Sequence, residues 1–298
     1  MSTLQPVDTY AMSEWVQHVT KNNFNTSLWE VLTGRRDGTI SRQSEAQANI
    51  PTPFFNFATL KKSFASKGLT VHDLVVLSAG GHTIGVGHCN FFSNRLYNFT
   101  GKGDQDPSLD PTYAATLKSQ CKTLTDNTTF VPMDPGTPLS FDANYYKIVK
   151  LNQGLFQSDA ALLTNKGASN IVDELTNSNK FFTEFAQSMK RMGAIEVLTG
   201  SAGEIRKKTL YASLLVLLLT VSVVAQDWNG HGPEPRKGKG DHGPNKKENG
   251  LKMMFYERCS HVETIVRDIT WSKVADDSTL AAKLLRLHYH DCFVRVSE

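Results

Sequence analysis

Apolar residues recur along this chain at helical rather than strand spacing. Thr70-Val-His-Asp73 places a polar start in front of Leu74, Val75, Val76 and Leu77, the arrangement of a capped helix. Leu155 to Leu163 and Ile171 to Met192 continue helical patterns. In the second, Phe181, Phe182, Phe185 and Met189, at i, i+1, i+4 and i+8, mark one buried face. Met253 to Val294 gives two more helices, the second from about Ser278 to Phe293. No strand-rich alternation of apolar and polar residues occurs, so the predicted fold class is mainly α, with helices joined by long loops.

The pattern changes near residue 210. Leu210 to Ala225 is an apolar run of 16 residues, preceded by Arg206-Lys207-Lys208 and followed by Gln226. A basic flank, a short apolar stretch and small residues at Val223 and Ala225 are the layout of a secretory signal peptide, which belongs at an amino terminus. Two readings compete with it. A buried helix would suit a run that is apolar all round, and a membrane span would need about 20 residues. Residues 226–252 are rich in Gly, Pro and Lys without periodicity and are expected to form a solvated, disordered tether.

Composition narrows the class without naming a function. A chain of 298 residues, 40% hydrophobic and 20% charged, can bury a full core and is not of the disordered type. Its net charge of +3 is mild, and no Lys/Arg block is interleaved with aromatics, which argues against nucleic-acid binding. The four cysteines contain no C-x-x-C, so zinc-ribbon and thioredoxin readings lose their usual support. Cys89 and Cys121, 32 positions apart, flank a Gly/Asp/Pro-rich loop and fit a secreted-type disulfide; four reduced cysteines in a cytosolic fold is the alternative. Sequons at Asn25, Asn98 and Asn127 lean toward secretion, and each alone is weak.

Two motifs carry candidate chemistry. The first is Asp73-Leu-Val-Val-Leu-Ser-Ala-Gly-Gly-His82-Thr-Ile-Gly-Val-Gly-His-Cys89. A lone histidine at the end of an apolar helix is most often a satisfied core residue, but Gly80 and Gly81 remove bulk beside this one, which would suit a planar macrocycle. The second is Leu284-Leu-Arg286-Leu-His-Tyr-His290-Asp291-Cys292-Phe-Val294. Arg286 and His290 are four apart and share a helix face; elsewhere such a pair is an ordinary solvent-facing one.

Together these motifs resemble the proximal and distal signatures of the secretory plant (class III) haem peroxidases. The resemblance spans roughly 29–207 and 251–295, with Trp29 to Gly38, Ile50-Pro51-Thr-Pro-Phe-Phe55, Asn90 to Phe99 and Gly154-Leu-Phe-Gln-Ser-Asp159 all similar to the family. It implies a helical fold in two subdomains around haem b, with hydrogen peroxide and a small phenolic donor as reactants. His82 would be the iron ligand and Asp159 the acceptor on its other nitrogen. His290 would be the acid-base residue and Arg286 the cation where charge develops. Pro51 matches the position at the aromatic-substrate edge. Thr83, Asp134, Thr137, the Ser140 carbonyl and Asp142 match a proximal calcium site, and Asp291 with the Val294 carbonyl would begin a distal one. The location implied is secreted, in cell wall or vacuole, with membrane association only if 210–225 inserts.

The order of the motifs departs from the family, in which the distal signature lies near the amino end. The segment expected between the distal motif and Trp29 is missing, including the polar residue that orients the distal histidine. Cys259 and Cys292 lack their family partners, and Ala79 looks inserted before Gly80-Gly81-His82. A single insertion rotates the later residues of a helix by about 100° unless a bulge absorbs it. A circular permutant would keep every segment and carry no internal signal. The chain therefore looks like the back part of one peroxidase joined to the front part of a neighbouring copy, naturally or through gene prediction. The expected division is 1–28 atypical leader, 29–208 proximal part, 209–225 apolar segment, 226–252 linker and 253–298 distal part, an incomplete version of the fold. The alternative function is an inactive remnant, haem-binding or not, tethered to a membrane or free.

Overall fold

Capping chemistry sets the helix starts in the computed structural model, which describes residues 34–40, 42–204, 247–248, 251–252 and 262–294. The Thr70 signal is realised in full. The Thr70 hydroxyl accepts the Asp73 N–H, and the Asp73 carboxylate accepts both the Thr70 N–H (2.9 Å) and the Thr70 hydroxyl (2.7 Å). Asn56, Asp110, Asn165 and Asn177 act alike, each side-chain oxygen accepting the backbone N–H three residues on.

These caps open α2 (Phe57–Ser66), α3 (Val71–Gly81), α5 (Pro111–Gln120), α8 (Lys166–Glu174) and α9 (Ser178–Gly193). The remaining helices are α1 (Gln43–Asn49), α4 (Ser93–Tyr97), α6 (Asn144–Lys150), α7 (Gln157–Ala161), α10 (Val262–Asp276) and α11 (Leu280–Phe293). Strands are confined to three two-stranded antiparallel pairs, so the described fold is mainly helical. β1 (Arg35–Arg36) pairs with β4 (Leu198–Thr199), joining the two ends of the 34–204 segment. β2 (Val86–His88) pairs with β3 (Phe130–Pro132), and β5 (Lys247–Glu248) with β6 (Leu251–Lys252).

The core forms around α3, whose Leu74, Val75, Val76, Leu77 and Ala79 are all buried because α2, α6, α8 and α9 pack around it. Phe181, Phe182, Phe185 and Met189 of α9 are buried as their spacing predicts. Gly80 lets the two helices meet: a Cβ there would lie 2.8 Å from Phe185 and 2.9 Å from Phe181. Cys89 and Cys121 are disulfide-bonded, with Cα atoms 5.6 Å apart, and close a loop carrying α4 and α5. At the other end of the chain, α11 buries Ala281, Leu285, His288 and Phe293, and the Phe293 ring meets Phe64 of α2 at 5.3 Å.

Several expectations need correction. The pattern from Ile171 to Met192 is two helices, because the Asn177 side chain caps a new start and the chain turns over Leu175 to Asn177. The stretch from Leu155 to Leu163 is helical only from Gln157, with a 3-10 turn over Leu162–Thr164. Lys247–Glu248 and Leu251–Lys252, at the end of the expected tether, form a small strand pair. Ala79 causes no bulge: it is buried inside a continuous helix, and the His82 N–H still reaches the Ser78 carbonyl (3.2 Å). Residues 1–33, with Asn25 and Trp29, the 210–225 run, most of 226–252, Cys259 and 295–298 lie outside the described residues. Among the described residues no helix is long and apolar enough to cross a membrane.

Candidate functional site

His82 caps the carboxyl end of α3, so its ring leaves the core just where the apolar helix stops. Its Nδ1 lies 2.8 Å from Asp159 Oδ1. The other oxygen of Asp159 accepts the Tyr145 hydroxyl (2.8 Å) and the Phe156 N–H (2.9 Å). Burial opposes ionisation of Asp159, but the His82 charge and the hydrogen bonds from His82, Phe156 and Tyr145 outweigh it and hold the carboxyl below its ordinary value. An ionised carboxylate only accepts, so His82 Nδ1 donates to it. Burial and the Asp159 charge push the Tyr145 phenol well above its ordinary value, so it remains a donor. Phe156 and Tyr145 stand edge-on to the imidazole at 5.4 and 5.8 Å and fix its plane.

A side chain with Nδ1 locked on Asp159 and 31% of its surface exposed is suited to a metal held outside the helix end. The two glycines before it serve different ends. Gly80 is consumed by packing against Phe181 and Phe185, which corrects the expectation that both clear space for a macrocycle. A Cβ on Gly81, by contrast, would meet nothing within 4 Å. Pro51 is half-buried in the turn before α2, and the Pro53 carbonyl in that turn accepts the Ser158 N–H next to Asp159 (2.9 Å).

Thr83, Asp134, Thr137, Ser140 and Asp142 come together immediately after His82. The Thr83 hydroxyl donates to the Asp142 carbonyl (2.8 Å) and lies 3.5 Å from the Ser140 carbonyl, and the Thr137 hydroxyl donates to Asp134 (3.2 Å). Asp134 is fully buried. Burial raises the Asp142 carboxyl, and Asp134 adds to the shift against hydrogen bonds from Asn144, Thr137 and Thr83. Two carboxylates, two hydroxyls and carbonyls converging in this way are hard oxygen donors of the kind calcium takes. Among the described residues no three His, Cys, Asp or Glu side chains gather at one point, and this set holds only two.

Arg286 and His290 lie on α11, whose amino-terminal turn approaches the segment after His82: a Cβ on Gly85 would be 3.1 Å from Ala282. Arg286 is exposed and His290 half-buried. Burial and the Arg286 charge lower the His290 imidazole from its ordinary value. Among the described residues neither side chain takes a hydrogen bond. The histidine of this helix that turns inward is His288, pushed down to about 3 by burial and Arg35. Asp291 lines a cleft with Arg35, Gly193, His288 and Cys292, and Val294 is buried at the helix end. The Cys292 thiol, 3.6 Å from His288 Nε2, is pushed up to about 12 by burial.

Sequence reasoning missed Tyr145 and Phe156. Tyr145 stands 14 residues from the carboxylate it serves, a separation no local spacing rule flags.

The Peroxidase family model matches residues 14–178, more than half of the chain. Peroxidase 3 of Arabidopsis thaliana is 56% identical over 188 residues, covering 62% of this chain and 57% of the relative. Peroxidase 39 of the same plant is 55% identical over the same shares, and Peroxidase 1 is 48% identical over 61% and 57%. The chain thus spans little more than half the length of these curated relatives. A family model that matches over half the chain, across the segment that holds His82 and Asp159, shows that the chain belongs to the peroxidase family.

Proposed function

We propose that the chain is a haem peroxidase that reduces hydrogen peroxide and oxidises small phenolic donors, of the type secreted to the plant cell wall or vacuole. The observation that carries this reading is the His82–Asp159 pair, in which a carboxylate locked by Tyr145 and Phe156 orients the partly exposed imidazole at the end of α3. Bound haem would supply the redox chemistry, taking electrons from the donor and passing them to peroxide. The chain's own residues would do the rest. His82 Nε2 would hold the iron, and Asp159 would raise the basicity of that nitrogen. His290, kept uncharged at neutral pH by burial and by Arg286, has the form a general base needs to take the first peroxide proton and return it to the leaving oxygen. Arg286 would stabilise the charge that develops there. Thr83, Asp134, Thr137, Ser140 and Asp142 would hold a calcium ion, bracing the residue next to His82, while Asp291 and the Val294 carbonyl would start a second site. Pro51 would lie at the edge where a phenol approaches.

A second reading, an inactive fusion product, is favoured by one observation. The His290 ring has no hydrogen-bond partner among the described residues, so nothing there fixes its tautomer, and turnover is expected to be slow even where haem binds.

The test compares haem absorption spectra of the calcium-supplied parent, His82→Ala and His88→Ala. Loss of the haem band in the first variant alone is expected. His88 has an exposed side chain on β2, stacked edge-on against Phe130 at 5.9 Å. Equal retention in both variants would remove the assignment.

A further inference from the structure

We propose that Arg95 is a positioning residue for the His82–Asp159 pair, acting through the backbone strap of residues 154–156; the proposal rests on the reading of His82 as the haem ligand. Arg95, on α4, is completely buried. Its Nη1 donates to three successive carbonyls, those of Gly154 (2.6 Å), Leu155 (2.9 Å) and Phe156 (3.1 Å). Its Nε donates to Asp106 Oδ2 (2.7 Å), and the Asp106 N–H returns a bond to the Arg95 carbonyl (2.8 Å). Asp106 is held in turn by the Ser108 N–H and hydroxyl, at 2.8 and 2.7 Å on Oδ1.

The strap is thus gripped from two sides. Its carbonyls face Arg95, while its N–H groups face the site: Leu155 donates to the Tyr145 hydroxyl (3.3 Å) and Phe156 to Asp159 Oδ2 (2.9 Å). Gly154 lets it pass close to Asp159, since a Cβ there would come within 2.9 Å of the Asp159 Cβ. Any drift of the strap moves two groups that orient Asp159, namely the Phe156 N–H and, through Leu155, the Tyr145 hydroxyl. A buried guanidinium is costly unless fully paired, and this one is paired with a carboxylate and three carbonyls. Lysine would keep the charge, but a single ammonium cannot reproduce the fork that reaches Asp106 and the strap at once.

The experiment is amide hydrogen exchange on the haem-free chain, parent against Arg95→Lys, followed by the rate of haem release after loading. Exchange at Leu155 and Phe156 should rise by about tenfold or more, as for a lost charge-assisted hold, while the amides of Val75, Val76 and Phe185 keep their protection. Haem release should quicken in parallel. Unchanged exchange at 155–156, or a rise no larger than that of the core amides, would reduce Arg95 to a general structural residue and overturn the proposal. If Arg95→Lys does not fold, Asp106→Asn, which leaves the guanidinium but removes its charge partner, is read by the same criteria. A parent chain that takes up no haem would defeat the haem reading, while the exchange data would still decide whether Arg95 holds the strap of Asp159.

Discussion

Asp73 carries two duties on one carboxylate. One oxygen closes the Thr70 capping box, and the other accepts Arg191 Nε at 2.7 Å, tying α3 to the end of α9. Burial opposes its ionisation, but the Thr70, Arg191 and Ser188 hydrogen bonds prevail and hold the carboxyl below its ordinary value. A carboxyl with a depressed folded value contributes stability that is complete above the unfolded range, near pH 4, and lost as pH falls through the lower folded value. Asp73→Asn is therefore expected to destabilise the chain at pH 7 by about 1–3 kcal/mol. The gap to the parent should close as pH falls below about 4. Thermal melts across that range test it, and a gap independent of pH would show that the charge is not what matters. Half of this arrangement was legible, because a capping box is a local pattern; the Arg191 partner, 118 residues away, was not.

At the scale of elements, the Gly80-Gly81 pair separates packing from site. Gly80 lets α3 and α9 approach, so Gly80→Ala drives a methyl against Phe181 and Phe185 and should cost about 1–3 kcal/mol by overpacking. Gly81→Ala meets open space and exchanges glycine for a better helix former, so its melting temperature should hold or rise slightly. The new methyl would stand beside His82, and haem uptake should weaken in this variant. Melts and haem titrations of both proteins check the pair. Equal stability loss in the two would mean the faces have been assigned wrongly. The glycines were visible in the sequence, yet it did not distinguish them, since their difference lies in where α9 packs.

For the whole molecule, the Cys89–Cys121 bond closes a loop over 32 residues that includes α4 and α5, and with them Arg95. Constraining a loop of that size in the unfolded chain is worth about 3–4 kcal/mol. Reduction should lower the urea midpoint accordingly, and an unchanged midpoint after verified reduction would contradict this. The compartment decides whether the bond forms at all. With Arg206-Lys207-Lys208 preceding the 210–225 run, insertion by the positive-inside rule would leave residues 1–208 on the cytosolic side. Expression in a eukaryotic cell should then leave Asn98 and Asn127 unglycosylated and little peroxidase activity in the medium. Glycosidase sensitivity and an activity assay decide it, and a glycosylated, active, secreted full-length chain would refute it.

The sequence by itself determined what depends on neighbours along the chain: the capped start of α3, the buried stripe of Phe181, Phe182, Phe185 and Met189, and the mainly helical class. It also supplied the residues of both motifs, because those patterns recur within a few positions of one another. Tertiary structure decided what depends on distant segments meeting. It set Asp159 on His82 across 77 residues, brought Tyr145 and the strap from Gly154 to Phe156 around that carboxylate, and turned His288 inward while Arg286 stayed at the surface. Side-chain direction and burial follow from packing against other elements, and a pattern read along one element holds no information about which of its polar residues will face a partner.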